Sequence, residues 1–248
     1  MGFKKVLIVG ASSGIGKATA IRLAETGASL VLASRNTDKL NDVLSLCQGD
    51  GHQVFSLDVK DEQAIDEIVA AAVQFDGIPF DGFVYSAGQE GTIPLKFIKK
   101  DFLEDILSVN TIPVVLLTKA LLKKGHFSKE GGSLVYVSSV MGGLGQPAKT
   151  AYCMSKGALV AIAKALALEL ASKKIRVNCV SPGMVITEMS EKLLESVSDE
   201  NKAEILKMHP LGLGSVDDIA NGIEFLLSDK GKWITGTDFL IDGGYSAQ

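Results

Sequence analysis

The sequence predicts an α/β fold: a doubly wound, seven-stranded parallel sheet with helices on both faces, in a single domain over 1–248. Three observations carry this expectation. Short apolar, β-branched runs alternate with longer stretches of helical pattern along the whole chain. The runs are apolar on both faces, as strands covered on each side must be. A turn holding three glycines joins the first run directly to the first helix. The 248 residues, 46% hydrophobic and 22% charged, suffice for one large core, and no repeat, low-complexity segment or Pro/Ser-rich linker divides them.

In order, the expected strands are KVLIV (5–9), SLVLA (29–33), QVFSL (53–57), GFVYS (82–86), SLVYVS (133–138), IRVNCV (175–180) and TDFLI (237–241). Each is a short run rich in branched or aromatic residues. Between them the helical pattern predicts helices near 14–26, 37–47, 61–75, 98–123, 150–172, 188–208 and 215–228. In such a sheet a ligand binds beyond the carboxyl ends of the strands.

A net charge of −4, from 25 basic and 29 acidic residues without long blocks of one sign, offers no footprint for nucleic acid or an anionic membrane. A small-molecule partner is the expectation. Cys47, Cys153 and Cys179 are odd in number and far apart, which fits a reducing cytoplasm and argues against a disulfide framework. His52, His126 and His209 have no metal-ligand spacing, so no metal is expected. The apolar run after the basic start is only VLIV, too short for a signal peptide, and no apolar run approaches membrane-spanning length.

In VGASSGIG, Gly10 permits a tight turn, Gly14 a close backbone approach to a pyrophosphate, and Gly16 close packing of helix on sheet. Ser12, Ser13 and Ile15 lie at the start of the helix, where N–H groups and the positive end of the dipole favour phosphate. The fold expected is therefore Rossmann-type.

In AYCMSKGA, Tyr152 and Lys156 are i and i+4 on a helix and share a face. A phenol with a pKa near 10 donates or takes protons poorly at neutrality. A cation about 4 Å away, worth roughly 4 kcal/mol at an effective dielectric of ~20, would lower that value. The spacing alone also describes a buried tyrosine beside a snorkelling lysine. Ser139, ending the strand SLVYVSS, lies on the ligand-facing edge, where it serves either as hydrogen-bond donor to a carbonyl or as a turn former.

Together these segments resemble the short-chain dehydrogenase/reductase family over essentially the whole chain. GASSGIG resembles its glycine motif, Asp58-Val59 its adenine site, and Ser86-Ala87-Gly88 its NAG segment. PGMVIT, with Pro182, Gly183, Val185 and Thr187, resembles the segment that holds the nicotinamide end, and GTDFLIDGG the terminal strand. The resemblance implies that Asn110, Ser139, Tyr152 and Lys156 are catalytic. Tyr152 would move the proton, Ser139 position the carbonyl, and Lys156 hold the nicotinamide ribose and depress the tyrosine pKa, with Asn110 completing a proton relay through water. On residue type alone, Asn110 also reads as a helix kink or cap and Asp58 as a turn carboxylate. Val9 and Ser86 depart from the usual threonine and asparagine, and 123–133 is longer than the usual link.

At the end of the second strand a carboxylate would select NAD. Here stand Ser34, which repels no phosphate, and Arg35, which can fork onto one, so NADP(H) is the cofactor expected. Within the family the chain most resembles the 3-oxoacyl-[acyl-carrier-protein] reductases, which implies a small or carrier-bound carbonyl substrate and fatty acid biosynthesis. Ketone, sugar and polyol reductases share the same motifs, and a catalytically silent NADP-binding module is the rival of another class. Met184, Val185, Ile186, Met189, Leu193 and Leu194 fall in an expected substrate lid at about 184–211, where they are equally the buried face of a helix. Lys123, Lys124, Lys173 and Lys174 would suit an acidic carrier protein, although lysines at helix ends are also ordinary dipole partners. The helix GALVAIAKALALELA (157–171) is apolar on more than one side, which with the resemblance points to a homotetramer.

Overall fold

The computed structural model describes residues 4–187, 190 and 198–247. The seven strands are β1 (Lys5–Val9), β2 (Ser29–Ser34), β3 (Gln53–Ser56), β4 (Gly82–Tyr85), β5 (Gly132–Val137), β6 (Ile175–Pro182) and β7 (Asp238–Ile241). They form one sheet in the order β3-β2-β1-β4-β5-β6-β7, with every pair parallel. The α-helices among the described residues are α1 (Gly14–Ala24), α2 (Thr37–Leu44), α3 (Glu62–Asp76), α4 (Lys100–Asn110), α5 (Ile112–Leu121), α6 (Thr150–Leu170), α7 (Asp199–Lys207) and α8 (Val216–Leu227).

Alternation along each strand explains why the runs are apolar throughout. Leu7 and Val9 join Phe83, Tyr85, Leu134 and Tyr136 beneath α3, α5 and α6. Val6 and Ile8 join Val84, Val135 and Val180 beneath α1 and α8. The central strands β1, β2, β4, β5 and β6 are thus buried on both faces, while the edge strands β3 and β7 are partly exposed. Winding reverses between β1 and β4, which opens a crevice at their carboxyl ends.

The expected helix over 98–123 is two helices, broken at Thr111, whose φ of −129° leaves the helical region. Pro113 has no N–H for the carbonyl of Val109, four residues back, and its ring crowds that carbonyl. The Tyr85 hydroxyl donates to the freed oxygen at 2.5 Å. Of the helix expected over 188–208, α7 is described, while 188, 189 and 191–197, with Met189, Leu193 and Leu194, lie outside the described residues. The long 123–133 link has a structural job. Phe80 donates to the carbonyl of His126 and Ser128 donates to that of Phe80, both at 2.8 Å, and Phe127 is buried in the core.

By length and composition α6 with its final turn, Thr150–Lys173, could cross a membrane, contrary to the reading of the sequence, which found no such run. It packs instead on β6 and α4, and only 33% of its apolar stretch is buried within this one chain.

Candidate active site

The carboxyl ends of β1 to β6 surround one cavity of about 740 Å³. At the β1 end the backbone of Gly10 has φ +85°, and a Cβ there would lie 2.5 Å from the Ala87 nitrogen. Only glycine fits both constraints. A Cβ on Gly16 would lie 2.1 Å from the Gly10 carbonyl oxygen, so the start of α1 rests on the turn itself. Gly16 shapes the turn without lining the cavity. Ser12, Ser13, Gly14 and Ile15 do line it, and no side chain caps the first turn of α1. Its free N–H groups and dipole face the cavity, an arrangement that suits a phosphate.

Ser34 ends β2 at the same rim and Arg35 follows it, joined by Asn36, which caps α2. Arg35 is exposed and among the described residues makes no hydrogen bond or ion pair, so its fork is available. Asp58 and Val59 line the wall below β3, where the Asp58 carboxylate accepts from Lys60 N–H at 3.0 Å and so also serves as a turn former. Ser86, Ala87 and Gly88 follow β4, and Pro182 ends β6, with Gly183, Val185 and Thr187 beyond it. The positive-φ glycines and the uncapped helix start together fit the pyrophosphate of a dinucleotide.

Ser139 leaves β5 extended and accepts from Met141 N–H at 3.2 Å, starting a short 3₁₀ turn. A Cβ on Gly157 would lie 3.0 Å from the carbonyl of Gly142, so two glycines let α6 press against that turn. This close approach brings Tyr152 to Ser139. Lys156 Nζ donates to the Val137 carbonyl at 2.9 Å and lies 5.8 Å from the centre of the Tyr152 ring. The lysine's own carbonyl is held by the Ser138 hydroxyl at 2.9 Å.

Asn110 meets this group through Gly88: a Cβ on that glycine would lie 3.4 Å from Lys156 Nζ and 3.5 Å from Asn110 Oδ1. The Asn110 amide also donates to Ser155 Oγ at 3.0 Å. Its position at the end of α4, immediately before the break, matches the kink reading.

One expectation is corrected. Tyr152 was expected to be lowered by Lys156, but burial pushes the phenol above its ordinary value, and the hydrogen bond with Ser139 only partly opposes this. The ammonium is itself desolvated, its pKa lowered to about 8 by burial. Packing both groups into one wall penalises the charged form of each.

Several residues of the cavity escaped sequence reasoning. Gln89, Glu90 and Lys149 stand at its carbonyl end, with Lys149 three residues ahead of Tyr152, a helical spacing that was there to be read. His209, inside the expected lid segment, lines the wall, accepting from Met184 N–H at 3.2 Å through Nε2 and donating to the Ile205 carbonyl at 2.7 Å through Nδ1. Its ring lies 4.8 Å from that of Tyr245.

Comparisons agree with this geometry. A family model described as enoyl-(acyl carrier protein) reductase matches residues 10–246. The chain is 36% identical to a 3-oxoacyl-[acyl-carrier-protein] reductase FabG of Haemophilus influenzae, over 97% of each chain. It is 33% identical to a glucose 1-dehydrogenase of Gluconobacter oxydans, over 97% of this chain and 91% of that one. A solved mutant of a Serratia marcescens short-chain dehydrogenase/reductase superposes with a TM-score of 0.88 at 28% identity, covering 98% of both chains. With its seven-stranded parallel sheet, its glycine turn and its Ser139–Tyr152–Lys156 wall, the chain belongs to the short-chain dehydrogenase/reductase family, oxidoreductases that act on CH–OH and C=O groups with a nicotinamide cofactor.

Proposed function

We propose that this chain is an NADP(H)-dependent carbonyl reductase that prefers 3-oxoacyl thioesters and works in the cytoplasm as a homotetramer. The observation that carries the reading is the layout of one cavity: Arg35 beside Ser34 at one rim, and Ser139, Tyr152 and Lys156 at the far wall.

Gly10 and Ser12 to Ile15 would hold a pyrophosphate, Ser34 and Arg35 the 2′-phosphate, Asp58 and Val59 the adenine, and Ser86 to Gly88, Pro182, Gly183, Val185 and Thr187 the nicotinamide half. Bound there, NADPH would supply a hydride, the two electrons and one hydrogen that reduce carbon. The protein's part is the proton and the orientation. Ser139 Oγ donates to the carbonyl oxygen and fixes the substrate, while Tyr152 O–H delivers the proton to that oxygen as negative charge develops. A phenol whose pKa is raised stays protonated at neutral pH, which suits an acid in the reducing direction. Lys156, anchored on Val137, orients the ribose, and Asn110 holds the loop that carries Gly88 and Gln89.

Two surface features support the finer reading. Lys123, Lys124, Lys129 and Lys173 line a second hollow of about 310 Å³, a landing site for an acidic acyl carrier protein. It lies at the amino ends of β5 and β6, and a six-residue strand spans about 20 Å. A carrier seated there would serve the cavity of a neighbouring subunit. Apolar side chains also stand out on α5 (Ile112, Val115), on α6 (Leu168, 83% exposed) and on the edge strand β7 (Leu240). Such surface suits burial between subunits.

The test is loss of absorbance at the reduced-nicotinamide band with NADPH and NADH against a panel of 3-oxoacyl thioesters, simple ketones and sugars, beside a mass by light scattering. Reduction of thioesters with NADPH by a tetramer is expected. Tight NADPH binding without turnover of any member would favour the silent module, and a monomeric mass would sink the tetramer.

A further inference from the structure

Two lysines, not one, flank the ring of Tyr152. Lys149 Nζ lies 5.7 Å from its centre, against 5.8 Å for Lys156. Lys156 is tied to the Val137 carbonyl. The Lys149 ammonium has one ionic partner among the described residues, the carboxylate of Glu90, and its side chain is only 10% exposed. Burying a lysine is costly, and this one stands at the mouth of the reacting wall.

The backbone holds this pair deliberately in place. Ala148, immediately before Lys149, has φ +64°, a left-handed conformation that a non-glycine residue adopts at a cost. Its carbonyl accepts from Ile93 N–H at 2.8 Å, which clamps the loop before α6 onto the loop after β4 that carries Glu90. Glu90, Gln89, Thr92, Gln146 and Lys149 all face the cavity beside Tyr152.

We infer that Lys149, steered by Glu90, is a recognition site for a second oxygen of the substrate, and that it selects ketones bearing a neutral carbonyl two carbons from the one reduced. An ammonium has three N–H donors, and a carboxylate partner leaves at least one for a ligand. Because Glu90 neutralises the charge, the donor suits an ester or thioester oxygen better than a free carboxylate, whose charge would meet Glu90. This rests on the proposed carbonyl reduction and adds what the shared family motifs leave open, namely why a 3-oxoacyl compound would be preferred over an isolated ketone.

The experiment compares two ketones of similar size, ethyl 3-oxobutanoate and 2-octanone, with NADPH in the wild type, Lys149→Met, Lys149→Gln and Glu90→Gln, and adds free 3-oxobutanoate as a third substrate. Lys149→Met should lower kcat/KM for the oxoester about ten-fold or more beyond any loss for 2-octanone, chiefly through KM, since a charge-assisted hydrogen bond is removed. Lys149→Gln, which keeps an N–H donor and guards against a variant that fails to fold, should recover part of that difference. Glu90→Gln should shift preference several-fold from the ester toward free 3-oxobutanoate. Equal losses for both ketones, as a mere loop clamp would give, would overturn this inference alone. Turnover of neither ketone by the wild type would overturn it together with the reading on which it rests.

Discussion

Gln89 and Asn110 exchange two hydrogen bonds: the amide N–H of Gln89 donates to Asn110 Oδ1 at 2.8 Å, and Asn110 Nδ2 donates to the Gln89 carbonyl at 2.9 Å. A side chain at the end of α4 thereby completes the backbone bonding of the loop beyond β4. Asn110→Ala would leave both Gln89 groups and Ser155 Oγ without that partner, so a loss of about 2 kcal/mol or more in stability is expected. Denaturant unfolding checks this, and kcat/KM should fall with it because Gly88 and Gln89 line the cavity.

Tyr152→Phe removes the acid without removing a hydrogen bond that the fold needs. Turnover should fall by about 10²- to 10⁴-fold with NADPH affinity nearly unchanged. A rate above about a tenth of wild type, in a step shown to be limited by chemistry, would refute the role given to the phenol.

Arg35→Ala should weaken NADPH by roughly 10- to 150-fold and leave NADH within a few-fold, since charge-assisted hydrogen bonds are worth about 1.5 to 3 kcal/mol each. Adding Ser34→Asp should turn preference toward NADH, by repelling the phosphate and engaging the free ribose. Paired titrations with both reduced cofactors decide the point, and equal losses for the two would show that Arg35 does not read the phosphate.

The pKa of Lys156, lowered to about 8 in the folded chain from its ordinary 10.5, gives a pH signature. Below pH 8 both folded and unfolded states carry the proton and the charged group is buried at full cost. Between about 8 and 10.5 the unfolded state binds the extra proton, so the stability attributable to this lysine rises with pH. The unfolding free energy of cofactor-free wild type, less that of Lys156→Met, should therefore grow by about 2 kcal/mol from pH 7 to 9.5. A flat difference would mean that the ammonium stays charged in the fold.

The strands were legible because a sheet buried on both faces leaves a run such as VLIV (6–9) with no polar position. The glycine turn, Tyr152, Lys156 and Ser139 were legible too, since each sits at a fixed place on its element. The break at Thr111 was only half visible. Pro113 announces a lost hydrogen bond, but the partner that makes the break stable, Tyr85, lies 24 residues from the Val109 carbonyl it satisfies. The pair Lys149 and Glu90 depends on two loops meeting, and no local pattern contains it. The direction of the Tyr152 shift depends on how deeply packing buries the ring, a tertiary quantity that the i,i+4 spacing does not carry.

The seam where β1 pairs with β4 has a consequence for how such a protein diversifies. Ser12, Ser13, Ser34, Arg35, Asp58 and Val59 all precede it in the chain, and Gln89, Glu90, Asn110, Ser139, Lys149, Tyr152 and Lys156 all follow it. On the proposed reading, selection between NADPH and NADH and selection of the carbonyl compound therefore lie in separate halves of the chain, with the nicotinamide half of the cofactor held from the second. A recombination event between residues 60 and 82, where α3 crosses over, would exchange one trait between relatives and leave the other as it was.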